Sequence, residues 1–309
     1  MIEKALEINP ENLEYYLAFM EVQFNKKFPN EKIKLEKFED LLTYAKNSQT
    51  SSELITHIHT LKGKYKSRVI ARIEMALTDG EEFKQIIKEY LGMQIKQGIP
   101  SIFINLKFIY HLQAQKIDII DKIISEFLSD IEKIKKIEIK KTSGEIIIID
   151  IIPEFIWVYY FVAQHFYFLG NMEKALNFIN MALDKTPTVV EFYMLKSKIF
   201  EHSGLLDKSA DAYEKAKKLD LGDRYLNAKY AKKYVRLNNV EKANEIMKEF
   251  VRDPLHDDNI DNVQCMWYET ECAYAYLRDK NIIRAHRLFN SLIHHFNTIV
   301  EDQVKYFNF

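Results

Sequence analysis

The chain has 309 residues and a net charge of −1, with 47% hydrophobic and 29% charged residues. This composition is that of an ordinary globular protein, and it excludes both a disordered chain and a chain-wide electrostatic attraction to nucleic acid. No apolar run approaches the length of a membrane span. Glycine and proline number only 8 and 6, which leaves few residues for hairpins and tight turns. We therefore predict an all-α fold.

The first part of the chain, residues 1–152, predicts irregular helical repeats. Residues 1–9 have the spacing of the end of a repeat, and Asn12 is expected to cap the helix that follows. Between 28 and 78 the pattern loosens into short helices, with a turn predicted at Ser48–Ser52. An acidic first turn after Thr78 favours a further helix start. The longer helices predicted here span residues 10–27, 78–93, 102–113 and 117–135.

Residues 136–152 interrupt the helical pattern. A lysine-rich stretch and a Thr-Ser-Gly turn precede the run Ile146–Ile149. The periodicity does not separate a short hairpin from a mobile insertion. We predict a loop inserted between two helices.

Regular repeats begin after Pro153, so that residues 153–309 form the second predicted domain. Small, aromatic and turn-forming residues recur every 34 residues, a spacing typical of tetratricopeptide-type helix pairs. Glycine or asparagine is expected to end the first helix of each pair in a left-handed cap. We predict a right-handed superhelical solenoid. The recurring residues are Ala163, Phe166, Gly170 and Ala175; then Ser197, Phe200, Gly204 and Ser209; then Ala231, Tyr234, Asn238 and Ala243.

A fourth unit is predicted after a loop at 253–263, because Ala273, Tyr276, Ala285 and Phe289 restore the spacing. The last residues, 301–309, predict a helix with three aromatic residues near its end. Repeat proteins cover such a face with a polar capping repeat. We therefore expect the chain to be a central piece of a longer solenoid.

A basic segment at 224–236 is the main candidate binding site. It contains five cations and no acidic residue, and Lys229, Lys232, Lys233 and Arg236 share one helical face. Lys198 lies one repeat before Lys232, so the two are expected side by side in the concave groove. Five cations without a counter-charge favour an anion site, although a solvated basic face is the common alternative. The predicted anion-binding residues are Arg224, Lys229, Lys232 and Lys198.

Trp267 and Tyr268 are adjacent on a predicted helix, so they cannot both face the same layer. We predict that one packs in the core and that the other, with Arg236, contacts a partner. The sequence contains no glycine-rich phosphate turn, and its histidines lack metal-site spacing. No catalytic residue or metal ligand is therefore predicted. Cys265 and Cys272 are predicted to be inert core thiols, and so few cysteines favour a reduced cytoplasmic or nuclear protein.

Several segments together resemble the auxiliary, ribosome-anchoring subunit of the NatA N-terminal acetyltransferase complex. Two of the most specific are Gly98-Ile99-Pro100-Ser101-Ile102-Phe103 and the ten residues from Gln264 to Ala273. The resemblance is collinear over nearly the whole chain and weak at 28–78 and 136–152. The segments that carry it are 9–16, 83–110, 157–165, 186–188, 196–204, 223–232 and 264–273.

The resemblance implies a non-catalytic scaffold that binds and tunes the catalytic acetyltransferase subunit and helps to anchor it at the ribosome, near the nascent chain. It also implies a basic cluster that binds inositol hexakisphosphate near the catalytic-subunit interface, with Arg224, Lys229 and Lys232 at matching positions and Lys242 and Lys248 as weaker candidates from the following helix. Two other functions remain open from the residues alone. One is a tetratricopeptide clamp that binds peptide carboxylates at Lys198 and Lys232, and the other is an RNA-associated helical-repeat protein.

Overall fold

The computed structural model describes residues 2–27, 34–36, 40, 56–58, 60–62, 64–65, 67–111, 114–150, 152–249 and 265–307. The turn predicted at Ser48–Ser52 and the loop predicted at 253–263 lie outside these residues, as do most of the short helices predicted between 28 and 66. The chain forms two compact units, Met1–Phe161 and Val162–Phe309. In the described part of the chain, no helix is long and apolar enough to cross a membrane.

The first unit is built mainly from helices. Their predicted positions are confirmed to within a few residues at most ends. Asn12 accepts a hydrogen bond from the Glu14 amide at 2.9 Å, which confirms it as the cap of the second helix. The elements are α1 (Ile2–Ile8), α2 (Leu13–Lys27), α3 (Arg68–Leu77), α4 (Gly80–Lys96), α5 (Ile102–Tyr110), α6 (Ala114–Ile134), β1 (Ile137–Lys140), β2 (Ile146–Ile149) and the beginning of α7 (Ile152–Phe168).

The loop predicted within 136–152 is wrong, because strands β1 and β2 form an antiparallel hairpin. Ile137 pairs with Ile149 and Ile139 pairs with Ile147, and all four side chains are buried. The alternate residues point outward, since side chains change face at every residue of a strand. The buried isoleucines pack on α4, where both Ile139 and Ile147 lie against Gly92. Burial of one hydrophobic face, together with a turn in which Gly144 has a φ of 88°, therefore specifies the hairpin.

The domain boundary predicted between 152 and 153 also differs from the structure, which divides the chain inside α7. The first part of α7 packs within the first unit. The indole nitrogen of Trp157 lies against Gly98, and the rings of Phe161 and Phe103 are 6.4 Å apart. Because these apolar side chains join α7 to the preceding helices, the start of the regular repeats does not coincide with the boundary of a compact unit.

The second unit consists of stacked antiparallel helix pairs, as the 34-residue spacing predicts. Large residues surround small ones at each helix contact, and the core includes Tyr213, Leu226, Tyr230, Val235 and Tyr268. Together with the helical first unit, this confirms the prediction of an all-α protein of tetratricopeptide-like pairs. The helices after α7 are α8 (Met172–Lys185), α9 (Val190–His202), α10 (Leu206–Leu219), α11 (Arg224–Arg236), α12 (Val240–Lys248), α13 (Met266–Arg278) and α14 (Ile282–Phe307).

The turn inside each helix pair has the same left-handed geometry. Gly170, Gly204 and Asn238 have φ angles of 79°, 75° and 60°, which confirms the predicted caps. Lys280 occupies the equivalent corner of the fourth pair with a φ of 61°. In each turn the amide after this residue donates to a carbonyl five residues earlier, at 2.8 to 2.9 Å. This is the Schellman arrangement, which satisfies carbonyl groups that the end of a helix leaves unpaired.

Candidate anion-binding and partner-binding surface

A cavity of ≈ 210 Å³ lies between α9 and α11, with α10 contributing one aromatic residue. Lys198 and Lys232 both line it, as expected for residues at equivalent repeat positions. The cavity lining contains five cations and a single carboxylate, which gives it a strongly positive character. The lining residues are Lys198, Glu201, Tyr213, Tyr225, Lys229, Lys232, Lys233 and Arg236.

Glu201 is the acidic residue of this lining, and it bridges two of the cations. Its Oε2 atom lies 2.5 Å from Nζ of Lys233, and its Oε1 atom pairs with the guanidinium of Arg236. The side chains of Lys233 and Glu201 are only 9% and 13% exposed. Burial, together with nearby Lys229 and Lys232, lowers the pKa of Lys233 to about 8.

Lys232 has a different acidic partner. Its Nζ atom lies 2.6 Å from Oε1 of Glu271 on α13, and 5.9 Å from the ring centroid of Trp267. The prediction that these five cations have no counter-charge is therefore wrong, because other helices supply carboxylates. The segment 224–236 has no acidic residue, but Glu201 on α9 and Glu271 on α13 neutralise three of its charges. Neighbouring helices supply these partners, so a search within one helix does not find them.

Lys198 and Lys229 make no ion pair within the described residues. The Nζ atom of Lys229 lies 5.3 Å from the ring centroid of Tyr225, an arrangement that suits a cation–π contact. Lys198 is exposed and lines the cavity. Desolvation and the charges of Lys229 and Lys233 lower the pKa of Lys198. These two lysines are therefore the cations that an incoming anion meets first.

The other predicted anion-binding residues lie apart from this cavity. Arg224 is exposed at the first position of α11 and is outside the lining. Lys242 pairs with Glu245 at 2.9 Å on the exposed side of α12. Lys248 lines a larger cavity of ≈ 480 Å³ between α12, α13 and α14, with Glu241, Glu269, Arg284 and Arg287 among its neighbours. The structure thus brings together Lys198, Lys229 and Lys232, with Lys233 and Arg236, and leaves the other three elsewhere.

Trp267 and Tyr268 face in different directions, as adjacent helical residues must. Tyr268 is 2% exposed and donates a hydrogen bond to Oδ1 of Asn244 at 2.6 Å. Trp267 is 38% exposed and sits beside Lys232. The packing prediction therefore applies to Tyr268, and Trp267 is available to a partner. Tyr225 and Tyr274, 52% and 51% exposed, add further aromatic surface.

Tyr274 extends the comparison between repeats. It lies one residue after Ala273, just as Lys232 follows Ala231 and Lys198 follows Ser197. The same outward-facing position is thus lysine in two repeats and tyrosine in the next. The surface changes from cationic at α9 and α11 to aromatic at α13. Together with Trp267 it forms a mixed surface, which we call the cation–aromatic surface, made of Lys198, Lys229, Lys232, Tyr225, Trp267 and Tyr274.

Neither cysteine and none of the described histidines belongs to this surface. Cys272 is buried and Cys265 half-buried, and burial raises the pKa of the Cys265 thiol. Nδ1 of His295 lies 3.2 Å from the buried carboxylate of Glu269. Among the described residues, no group of three or more histidine, cysteine or acidic side chains could hold a metal ion. His59 lies outside the described residues.

A family model for "N-terminal acetyltransferase A, auxiliary subunit" matches residues 1–309. The chain belongs to this family. It is 31% identical over 233 residues to N-alpha-acetyltransferase 16, NatA auxiliary subunit, of Homo sapiens, an alignment that covers 75% of this chain and 26% of the relative. It is 27% identical over 274 residues to the N-terminal acetyltransferase A complex auxiliary subunit NAA15 of Arabidopsis thaliana, covering 86% and 29% of the two chains. The predicted family is thereby confirmed.

A solved structure of Naa15/Naa10 bound to HypK-THB contains a chain with the same fold. It matches with a TM-score of 0.76 and 27% identity, and the match covers 99% of this chain and 42% of that chain. The present chain therefore spans less than half the length of each of these relatives. The family match over residues 1–309 also includes 28–78 and 136–152, the stretches in which the resemblance described above is weak.

Proposed function

We propose that this NatA auxiliary chain is a non-catalytic scaffold that binds and tunes the catalytic acetyltransferase for co-translational N-terminal acetylation in the cytoplasm. Its family and the Naa15/Naa10 relative support this role. The observation that carries the proposal is the cation–aromatic surface, in which Trp267 lies beside Lys232 and Tyr274 adds a second exposed aromatic ring. Exposed aromatic residues next to cations are favoured anchors at protein interfaces. The ribosome is a further proposed partner, and it supplies the nascent chain.

Co-purification with the catalytic subunit tests the partner directly. We expect a stable complex that Trp267→Ala weakens by about tenfold or more, the cost expected of an interface anchor. Phe296→Ala is the matched control, because Phe296 is an aromatic residue 59% exposed on α14. Equal loss with both variants, or no complex with the unmodified chain, would contradict the proposal that this surface holds the enzyme.

The second part of the proposal is that the cavity between α9 and α11 binds inositol hexakisphosphate as a structural ligand. Lysine and arginine are the donors that phosphate groups require. The cavity volume of ≈ 210 Å³ is about seven times the share of one water molecule in the liquid. It therefore suits one or two phosphate groups, while the rest of the polyanion lies on the cation–aromatic surface.

Calorimetric titration tests this ligand. We expect Lys229→Glu to remove measurable binding, because Lys229 makes no ion pair in the described part of the chain and its charge is available to the ligand. Lys242→Glu is the matched control, since Lys242 is paired with Glu245 outside the cavity. Binding that both variants weaken equally would indicate a diffuse basic surface. The titration is repeated with the catalytic subunit present, because the partner can contribute cations to the same ligand.

A further inference from the structure

Glu201 stands out among the residues around the cationic cavity, because it contacts the cations that a ligand would need. It is three residues after Lys198 on α9, so both side chains lie on the same face of that helix. Its two oxygens reach Lys233 and Arg236, one on each. A carboxylate that bridges two cations has the geometry of a bound anion's two oxygens.

The pairing has an energetic reason. Lys233 is buried, and a buried cation without a partner is strongly destabilising. Glu201 supplies the compensating charge within the chain itself. It therefore stabilises the cavity when no ligand is present. The same contact neutralises two of the five cations of the lining, so Lys233 and Arg236 are already engaged when a ligand arrives. Lys198 and Lys229 have no ion-pair partner among the described residues.

We propose that Glu201 is a built-in competitor at this cavity: its carboxylate occupies the place of one ligand group and sets the affinity for polyanions. This inference rests on the proposed function of the cavity as an anion site. Glu271 acts on Lys232 from α13, outside the lining, and so does not fill the cavity in the same way. Ligand affinity and fold stability are then coupled through one side chain. A change that frees the cations strengthens ligand binding and lowers the stability of the ligand-free chain.

The test compares Glu201→Gln with the unmodified chain, using inositol hexakisphosphate as the probe. We expect the variant to bind about tenfold tighter, within the 5- to 150-fold range of typical coupling between sites. We also expect a lower melting temperature without the probe and a larger rise when it is added. Glu245→Gln is the matched control, because it removes one negative charge from an exposed pair on α12. It is expected to bind within twofold of the unmodified chain.

Equal or weaker binding by folded Glu201→Gln, with Glu245→Gln unchanged, would overturn the inference and leave the anion site in place. No binding by either chain would overturn both the proposed ligand and the competitor. Binding gained only by Glu201→Gln would support the competitor. If Glu201→Gln does not fold, Glu201→Asp replaces it. Because its side chain is one methylene group shorter, we expect a weaker hold on the two cations and an intermediate affinity. Binding weaker than that of the unmodified chain would count against Glu201 as a competitor.

Discussion

The hydroxyl oxygen of Ser197 lies 2.8 Å from both the carbonyl oxygen and the hydroxyl oxygen of Ser209. Neither side chain is exposed. These two serines occupy the small-residue contact between the helices of one pair. In the other three pairs, alanines with the same 12-residue separation take this place: Ala163 and Ala175, Ala231 and Ala243, and Ala273 and Ala285.

Ser197→Ala is expected to lower the free energy of unfolding by about 0.5–1.5 kcal/mol, because it removes the donor of a buried hydrogen bond. The double variant with Ser209→Ala should recover most of this loss, since it recreates the apolar contact of the other pairs. Urea unfolding in a Trp157→Phe background measures both, because Trp267 is then the one tryptophan and lies in the second unit. A loss of stability in the double variant equal to the sum of the losses in the two single variants would contradict this coupling between the serines.

Ile139→Ala is expected to lower the free energy of unfolding by about 2–5 kcal/mol, the range for truncating a buried isoleucine. Ile139 is 4% exposed and packs against α4 beside Gly92. Ile148→Ala is the matched control, because Ile148 lies on the outer face of the same hairpin and is 38% exposed. Urea unfolding followed by Trp157, in a Trp267→Phe background, measures the first unit. Similar losses for the two variants would mean that the strand register is different.

The hairpin shows why the fold could be predicted in one part of the chain and not in another. The corners at Gly170, Gly204 and Asn238 recur at a fixed spacing, so local chemistry alone predicts each helix end. The hairpin has four consecutive isoleucines in β2, and such a run carries no alternation. Its two faces become different only when Ile147 and Ile149 meet α4 and the first strand. That contact is between distant parts of the sequence.

Lys280→Gly is expected to stabilise the chain by about 0.5–1 kcal/mol. Lys280 has a φ of 61°, and a left-handed residue with a side chain carries a cost of about 1–2 kcal/mol that glycine avoids. The greater freedom of glycine in the unfolded chain offsets part of this gain. Thermal unfolding followed by Trp267, in a Trp157→Phe background, measures the change. Lys280→Ala controls for loss of the charge, and an equal gain from alanine would rule out backbone strain as the cause.

Polyanion affinity is expected to fall as the pH rises through 8. Lys233 has a pKa lowered to about 8 by burial and by its lysine neighbours, so it loses its proton in this range and offers less charge to the ligand. A bound anion favours the protonated amine, and binding at pH 8 should therefore take up protons. Calorimetry in two buffers of different ionisation enthalpy measures this uptake.

Lys233→Arg is the control for that pH dependence, because arginine keeps its charge throughout this range. The phosphate groups of the ligand also change protonation in this pH range, and they do so equally with the variant and with the unmodified chain. The difference between the two pH profiles is therefore due to Lys233. Parallel profiles for the variant and the unmodified chain would show that this lysine does not govern binding.

The candidate site could be predicted only in part. The repeat spacing correctly paired Lys198 with Lys232, because equivalent positions on successive helices stand side by side. Glu201 and Glu271 were missed as partners of the cluster, since they come from the helices on either side. Glu201 did carry a local signal, its separation of three residues from Lys198 on one helix. Lys242 and Lys248 belong to α12, which lies away from the lining of this cavity.

The repeat position that holds Lys198 and Lys232 holds a tyrosine, Tyr274, in the next repeat, so the two ends of the surface on the second unit differ. A surface with identical charges in every repeat would let a bound molecule slide by one repeat or bind in reverse at equal cost. Here the electrostatic attraction is strongest near α9 and α11, and the aromatic contacts lie toward α13. A partner with a negative end and an apolar end therefore has one preferred alignment and one preferred polarity on the solenoid.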